Sequence, residues 1–387
     1  MIVKNIAISI YMFLLSLFSW FSRFFGVKKR ILIMASFPEN TTAILKQMKK
    51  MNYTPETLCF HTERVQFDKK KFDFVQFFSN SLTNKWKLMF YLNTSKVILV
   101  DNYYPELAAV SFKSDIECIQ LWHANGALKQ FGWEDNSILE RSDADKKRFK
   151  AVYNNFLKVV IGSDEMGEIF KRSFLLDDSR LLKIGVPRTD VYFDENLQQQ
   201  KRAEWRDKFY AKNKKVILYA PTFRDNELVE AKLAMDFKAM EKELSDEHIL
   251  VLKLHPAVKI DVQNLNTDFI INVDKDVALE EFLAAVDILI TDYSSIPFEY
   301  ALFGRPMFFF SYDMEKYDKE RGLIRNYQQI IPGPISKTTE ELIEQIKIYN
   351  NSENLTRFSE KWNKYSDGHA SERLVSYMKK LTGGQNK

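Results

Sequence analysis

The sequence predicts an α/β protein with two doubly wound parallel sheets. Short apolar runs alternate with longer helical patterns along the chain, as expected for repeated strand–helix units. The runs are continuous rather than alternating with polar residues, which is typical of parallel strands buried on both faces. The chain has 387 residues. Because domains commonly contain about 100–200 residues, two domains are expected.

The apolar runs form two groups on either side of a polar helical stretch over residues 195–212. The first group predicts strands over residues 30–35, 56–60, 96–101, 117–122 and 159–162, and the second over 216–219, 249–254, 269–272, 288–291 and 307–310. Further helices are expected over residues 279–285, 297–303 and 374–381. We therefore predict two Rossmann-like domains, over residues 29–200 and 201–387, with the last helix able to pack back on the N-terminal domain.

A charge-free segment over residues 6–22, rich in Ile, Leu and Phe, precedes the first predicted strand. A cleaved signal peptide is disfavoured, because bulky aromatic residues stand where a cleavage site needs small ones. A membrane-spanning helix needs about 20 apolar residues, so the segment is marginal for that role. Polar residues recur at helical spacing along one side, namely Asn5, Ser9, Ser16, Ser19 and Arg23. This narrow polar stripe, with basic residues after it, favours a membrane-associating helix over residues 1–28 that lies in the interface on the cytoplasmic side.

The charge balance and the cysteine and histidine content exclude several classes of protein. The 56 basic and 52 acidic residues nearly cancel, so no nucleic-acid partner is expected. Neither the two cysteines nor the five histidines have the spacing of metal ligands or of a disulfide framework. Reduced thiols are the default in the cytosol. We predict no metal and no cofactor.

A histidine follows the predicted strand over residues 117–122. Ligands of open α/β sheets bind beyond the carboxyl ends of the strands, which is where His123 lies. Imidazole has an unperturbed pKa of about 6.5, so His123 can act as a general base. A structural histidine bonded to the backbone is an equally open interpretation. Asn125, Gly126 and Lys129 follow in the same loop.

Lys253 and His255 lie at the end of a strand in the second group. Strand alternation directs both side chains to one face. A cation and an imidazole there suit a phosphate, because charge-assisted hydrogen bonds would neutralise a leaving diphosphate. A purely structural role is equally open.

Hydroxyl groups lie between the strand over residues 288–291 and the next predicted helix. The candidate residues are Thr291, Asp292, Ser294, Ser295 and Glu299. The serines can cap the helix, and its free N–H groups can also bind a diphosphate. Glu299 can bond ribose hydroxyls or complement the helix dipole.

Two arginines stand in turns beside aspartates, Arg188 before Asp190 and Arg224 before Asp225. Each can reach a phosphate, and each can equally pair with an aspartate in a structural turn. The sequence contains no Walker loop, dinucleotide fingerprint or nucleophile elbow. Direct in-line transfer is therefore favoured over a covalent intermediate.

Taken together, these clusters resemble the CDP-glycerol glycerophosphotransferase family from about residue 29 to the C-terminus. The resemblance rests on six motifs in order, over residues 120–129, 185–190, 217–225, 253–256 and 290–295, and over 310–313 with 319–322. The family's polymerising members usually read Trp-His-Gly-Thr-Pro at the first motif, where this chain reads Trp-His-Ala-Asn-Gly. That form, with Asp101-Asn102-Tyr103 and residues 362–368, is similar to the family's priming members.

The resemblance implies a GT-B fold, with two Rossmann-like domains facing a cleft, the acceptor at the N-terminal domain and CDP-glycerol at the C-terminal one. It implies that His123 is the catalytic base, and that His255, Thr291, Ser294 and Ser295 hold the diphosphate. We add Lys253, Asp292, Glu299, Arg188 and Arg224 as donor-binding candidates, and Asn125, Gly126 and Lys129 as acceptor-side candidates.

The expected reaction belongs to wall teichoic acid synthesis. A hydroxyl of N-acetylmannosaminyl-N-acetylglucosamine on undecaprenyl diphosphate attacks CDP-glycerol, and CMP leaves. Membrane lipids and other teichoic acid enzymes are the further partners that the resemblance suggests. The alternatives are a polymerising member of the family, a GT-B glycosyltransferase that uses a nucleotide sugar, and a non-catalytic membrane scaffold.

Overall fold

The chain folds into two compact α/β units. The computed structural model describes residues 2–222, 224, 234–254, 267–349 and 353–383, with side chains from residue 7 onward. The first unit contains residues 1–125, 131–190 and 364–387, and the second contains residues 126–130 and 191–363. Each unit has one parallel sheet, so the predicted α/β class is confirmed.

The sheet of the first unit has seven parallel strands. They are β1 (Lys28–Ala35), β2 (Thr57–His61), β3 (Val75–Ser79), β4 (Ser95–Val100), β5 (Glu117–Gln120), β6 (Lys158–Val160) and β7 (Leu181–Leu182). Their order across the sheet is β3-β2-β1-β4-β5-β6-β7. The helices of this part of the chain are α1 (Ile2–Ser22), α2 (Pro38–Lys50), α3 (Lys85–Thr94), α4 (Asp143–Asn154) and α5 (Asp164–Phe174).

The sheet of the second unit has six parallel strands. They are β8 (Lys215–Tyr219), β9 (His248–Leu252), β10 (Ile270–Asn272), β11 (Ile288–Thr291), β12 (Met307–Phe310) and β13 (Ile335–Ser336). The order is β10-β9-β8-β11-β12-β13. The helices are α6 (Glu195–Lys208), α7 (Phe237–Leu244), α8 (Leu279–Phe282), α9 (Ile296–Tyr300), α10 (Met314–Arg321), α11 (Tyr327–Ile330), α12 (Thr339–Ile348) and α13 (Glu353–Trp362).

Both sheets run outward in two directions from a central strand. The order reverses between β1 and β4 in the first sheet and between β8 and β11 in the second. In doubly wound folds the ligand lies beyond the carboxyl ends of the strands at this switch point. The loops that follow these four strands are therefore where a site is expected in each unit.

The last helix, α14 (Ala370–Leu381), returns to the first unit. Its residues Leu374, Val375 and Met378 are buried in the core of that unit. The main segment of the second unit begins at Val191, whereas the domain boundary that the sequence predicts at residue 200 falls inside α6.

Helix α1 packs against the first unit through Leu15, Ser19 and Ser22, which are buried. The predicted polar stripe does not form the packed side, because Ser9, Ser16 and Arg23 are exposed. Ser19 is buried, and its hydroxyl lies 3.0 Å from the Asn93 amide nitrogen on α3. The opposite side exposes large apolar residues, namely Ile10, Phe13, Leu14, Leu17, Trp20 and Phe21, and Phe24 just beyond the helix is exposed as well. Among the described helices, none is both long enough and apolar enough to cross a membrane.

The three strands that the sequence analysis does not predict, β3, β7 and β13, all lie at sheet edges. β7 and β13 contain two residues each, and β3 is half-buried over most of its length. An edge strand has one neighbour and packs less apolar surface than a central strand. It therefore lacks the continuous apolar run that reveals a buried parallel strand.

Candidate active site

Asp101 joins the two loops at the switch point of the first unit. It follows β4 directly, and its carboxylate accepts hydrogen bonds from the Ser36 and Phe37 amides, which follow β1, at 2.9 and 2.8 Å. The Tyr104 hydroxyl donates a third bond at 2.7 Å. Burial raises the pKa of Asp101 to about 6, although these hydrogen bonds oppose the shift. The carboxylate thus fixes the β1 loop against the β4 loop.

The His123 ring lies against these same loops. Its Nδ1 is 3.3 Å from the main-chain oxygen of Asp101, and the ring stacks on Phe37 with centroids 4.6 Å apart. A carbonyl oxygen can only accept, so this contact requires the proton on Nδ1 and leaves the lone pair on Nε2. Trp122, with a φ of +58°, turns the chain so that the ring takes this position.

His123 is neutral at physiological pH. Burial lowers its pKa to about 4; the bond to Asp101 opposes this shift, and the positive charge of Arg188 adds to it. A neutral imidazole with a free Nε2 can accept a proton from a hydroxyl group. The geometry is therefore that of a general base, although the hydrogen bond to the backbone is also what a structural histidine would make.

Arg188 holds the main chain at His123. Its Nη1 donates to the His123 carbonyl at 2.7 Å, and its amide donates to the Asn40 side chain at 2.9 Å. Asn40 in turn donates to the Trp122 carbonyl at 2.9 Å. The structure thus places Arg188 in the first unit beside the candidate base, whereas Thr291, Ser294 and Ser295 belong to the second unit. Asp190 accepts from the first amides of α14, at Ala370 and Ser371.

The acceptor-side candidates divide between the two units. Asn125 is buried in the first unit, whereas Gly126 and Lys129 belong to the second. Gly126 packs against Phe298 so closely that an added Cβ would lie 2.4 Å from the ring. Glycine is therefore required at this position for steric reasons, which the sequence alone did not reveal.

Asp292 occupies the switch point of the second unit as Asp101 does in the first. It follows β11, and its carboxylate accepts hydrogen bonds from the Thr222 amide, beyond β8, at 2.8 Å and from the Tyr293 amide at 2.6 Å. In both sheets, therefore, an aspartate after the strand next to the central one fixes the loop after the central strand.

Arg224 is held between two carboxylates. It binds Asp313 through two nitrogens at 3.0 and 2.9 Å and Asp292 through a third at 2.7 Å. The rings of three tyrosines, Tyr293, Tyr312 and Tyr317, each lie 5.3 Å from its guanidinium carbon. Its side chain is only 9% exposed. Of the two predicted roles, this geometry supports the structural ion pair, formed with Asp292 and Asp313, because the guanidinium is engaged within the protein.

The hydroxyl groups after β11 form a short hydrogen-bonded chain. Thr291 donates to the Ala220 carbonyl at 2.8 Å, and the Thr291 and Ser294 hydroxyls are 2.8 Å apart. Ser294 Oγ lies 3.4 Å from the Ile296 amide at the start of α9. Ser295 forms no side-chain cap on that helix. Its half-exposed hydroxyl therefore remains available for a ligand.

The remaining donor-binding candidates have internal partners or lie outside the described residues. The Lys253 ammonium donates to the Asp274 and Lys275 carbonyls at 2.5 and 2.9 Å, and burial lowers its pKa. Glu299 is buried and accepts from the Tyr192 hydroxyl at 3.0 Å. His255 lies outside the described residues.

Sequence reasoning did not assign a role to Asp101 or Asp313. Both belong to motifs that it noted, and both stand shortly after the carboxyl end of a strand, β4 and β12 respectively. Their position at these strand ends was the available signal, because carboxylates there can bind the amides and cations of neighbouring loops.

A profile of the CDP-glycerol:poly(glycerophosphate) glycerophosphotransferase family matches residues 18–380. The chain belongs to this family. The resemblance predicted from the six motifs is thus confirmed, and with it the class of enzyme, a CDP-glycerol glycerophosphotransferase of teichoic acid synthesis.

Two relatives within the family are similar over nearly the whole chain. The teichoic acid glycerol-phosphate primase of Bacillus subtilis (strain 168) is 36% identical over 384 residues, which covers 98% of this chain and 99% of the relative. The primase of the same name from Bacillus spizizenii is 37% identical over 357 residues, 90% and 92% of the two chains.

The family's solved structures share this fold. The wall teichoic acid polymerase TagF aligns over 100% of this chain and 97% of its own, with a TM-score of 0.80 and 25% identity. A variant of that polymerase soaked with CDPG aligns equally well, with a TM-score of 0.80. The S. aureus MnaA–UDP structure, at 16% identity and a TM-score of 0.60, shows similarity of fold alone.

Proposed function

We propose that this glycerophosphotransferase is a primase, which adds glycerol phosphate to N-acetylmannosaminyl-N-acetylglucosamine on undecaprenyl diphosphate. The observation that carries this proposal is the 36% identity to a glycerol-phosphate primase across 99% of that relative's length. The poly(ribitol-phosphate) polymerase of Bacillus spizizenii, by contrast, is 35% identical and is covered over only 51% of its length.

In the proposed reaction, a hydroxyl oxygen of the N-acetylmannosamine attacks the phosphorus of the glycerol phosphate group. A new P–O bond forms, and the bond from that phosphorus to the bridging oxygen breaks. CMP leaves with the bridging oxygen, and Nε2 of His123 accepts the hydroxyl proton. The neutral ring, fixed by the Asp101 carbonyl and Phe37, supports this role for His123.

The donor is assigned to the second unit. This assignment is supported by the hydrogen-bonded hydroxyls of Thr291 and Ser294 and the half-exposed hydroxyl of Ser295 at the switch point of the second sheet, where ligands of doubly wound folds bind. The GT-B assignment is part of the same proposal. It is supported by the shared strand order of the two sheets.

We also propose that the enzyme is a peripheral protein of the cytoplasmic membrane face, held by α1. This helix buries Leu15, Ser19 and Ser22 against the protein and exposes large apolar residues on its outer side, where Phe13 is 66% exposed. Phe24, just beyond the helix, is 71% exposed. A helix whose outer side faced water would carry mostly polar residues on that side. Such an anchor would hold the enzyme at the membrane surface, where a lipid-linked acceptor lies.

The test is mass spectrometry of the product made by the purified enzyme on a synthetic disaccharide-diphospholipid acceptor. With CDP-glycerol, we expect one glycerol phosphate per acceptor and stoichiometric CMP. Long polymers would indicate a polymerase instead. Transfer from a UDP-sugar but not from CDP-glycerol would indicate a glycosyltransferase, and CDP-ribitol serves as the matched donor control.

A further inference from the structure

The segment after His123 crosses into the second unit and fixes the backbone of Lys129 there. Lys129 forms an antiparallel bridge with Leu323. Hydrogen bonds on either side, from the Gln130 amide to the Gly322 carbonyl and from the Ile324 amide to the Leu128 carbonyl, are both 3.1 Å long. The main chain of Lys129 is therefore part of the second unit and not of the unit that contains His123.

The Lys129 side chain is a half-buried cation without a bonded partner among the described residues. Its ammonium lies 5.4 Å from the centre of the Tyr317 ring. No oxygen of the described residues forms a hydrogen bond or an ion pair with it. A half-buried ammonium in this condition has lost water without gaining an acceptor, which is unfavourable unless a ligand supplies one.

The charges around Lys129 favour an anion. Burial lowers its pKa to about 8, with Asp292 opposing the shift and Arg321 and Arg224 adding to it. The Asp292 carboxylate is already bound by Arg224 and by two amides, so it is not available as a full partner. Two like charges, Arg321 and Arg224, therefore lie near the cation together with one carboxylate that is already paired. The hydroxyl chain after β11 begins beside Asp292.

We propose that Lys129 is a donor-side residue, whose ammonium binds the diphosphate of CDP-glycerol and neutralises the charge that develops on departing CMP. This rests on the proposed function, and it replaces the acceptor-side position predicted from the sequence. Lys129 transfers no proton. It stabilises the bridging oxygen as the P–O bond to it breaks, which is the usual role of a cation in phosphoryl transfer.

A diphosphate is also present in the lipid-linked acceptor, so the experiment must distinguish the two sources. Binding of CDP-glycerol, cytidine and a water-soluble short-prenyl acceptor is measured by calorimetry for the wild type, Lys129→Gln and Lys129→Arg. The matched control is Lys316→Gln, which removes an exposed lysine of α10 on the same unit. Thermal unfolding of each variant checks the fold.

We expect Lys129→Gln to weaken CDP-glycerol binding by about 10–100-fold, as for the loss of a charged hydrogen bond. Cytidine and acceptor binding should not change, Lys129→Arg should retain most of the affinity, and Lys316→Gln should match the wild type. Affinity of the wild type for CDP-glycerol should fall as pH rises through about 8, the pKa of Lys129. The affinity falls as pH rises because only the protonated ammonium of Lys129 attracts the anionic diphosphate. The Lys129→Gln variant should show no such fall.

The charged and titratable groups that face Lys129 are Asp292, Arg224, Arg321 and Tyr317. Burial raises the pKa of Tyr317, which moves its ionisation further from this pH range. The diphosphate diester of CDP-glycerol does not itself titrate near pH 8. A fall in affinity there therefore reports on Lys129.

Full CDP-glycerol affinity in folded Lys129→Gln would overturn the inference and leave the proposed function standing. Loss of acceptor binding alone, or an equal loss of cytidine binding, would also overturn it. Failure of the wild type to bind CDP-glycerol would overturn the proposed donor and the inference together, so the two failures are distinguishable.

Discussion

His123→Gln should abolish most of the transfer activity while leaving donor binding intact. A secondary sugar hydroxyl is a poor nucleophile, and a general base that accepts its proton contributes about 10²–10⁴ in rate. Burial lowers the pKa of His123 to about 4, so this imidazole is a weaker base than a free one. We therefore expect a loss in kcat near the lower end of that range, about 10²–10³-fold. Glutamine can still donate to the Asp101 carbonyl, but it cannot accept a proton.

The pH dependence of kcat tests whether the imidazole of His123 is neutral in the folded enzyme. The base must be neutral, so its contribution to kcat is complete above a pKa of about 4 and is lost as pH falls through that value. An exposed histidine would instead give a limb near its usual value of about 6.5. The wild type should therefore show no histidine limb between pH 5.5 and pH 8 that the His123→Gln variant lacks.

The assay is CMP release at saturating CDP-glycerol, with donor affinity measured separately by calorimetry. His369→Gln is the matched control, because this histidine of the first unit is 66% exposed and pairs with Glu372. It should leave kcat unchanged. A folded His123→Gln enzyme that retains most of its activity would refute the assignment of the base. A limb near pH 6.5 that disappears in this variant would refute the buried, neutral geometry.

Three further predictions follow from the described contacts. Phe24→Glu should weaken binding to anionic vesicles at least about tenfold, because burial of a phenylalanine is worth about 1.5–3 kcal/mol. The control Leu139→Glu, which changes an exposed leucine outside α1, should not weaken vesicle binding. Co-sedimentation with vesicles measures both. Ser294→Ala with Ser295→Ala should weaken CDP-glycerol binding by about tenfold, as two neutral hydrogen bonds are worth about 1–3 kcal/mol, and unchanged affinity in calorimetry would leave these serines a purely structural role. Gly126→Ala should lower the free energy of unfolding by about 1–3 kcal/mol through overpacking, measured by denaturant titration; a stability equal to that of the wild type would show that the neighbouring phenylalanine moves away at no cost.

The equivalent aspartates at the two switch points explain why motif residues cluster at strand ends. Asp101 and Asp292 both bind backbone amides of the loop that follows the central strand. A buried carboxylate that accepts several hydrogen bonds constrains these loops. In the first unit the constrained loop carries Phe37, on which His123 stacks, and in the second it leads to Arg224.

The sequence by itself determined the class of fold and the central strands. Strands such as β4, β11 and β12 are buried on both faces, so they must be continuous apolar runs, and a run of this kind can be read locally. The family could also be identified from the sequence, because six short motifs in order need no coordinates. The edge strands β3, β7 and β13 were not predicted, because they are very short or half-buried and lack a continuous apolar run, whereas the edge strand β10 lies in such a run and was predicted.

Only the tertiary structure decided the chemical state and surroundings of the candidate residues. The neutral ring of His123 results from burial and from a carbonyl 22 positions earlier in the chain. The partners of Arg224 lie 68 and 89 positions away in the sequence. Lys129 belongs to the second unit although it follows His123, a residue of the first unit, by only six positions. Likewise, Ser19 of α1 is buried where Asn93 supplies its hydrogen-bond partner, whereas Ser9 and Ser16 of the same predicted stripe are exposed. Each of these features depends on contacts between distant parts of the chain, and local sequence patterns carry no information about such contacts.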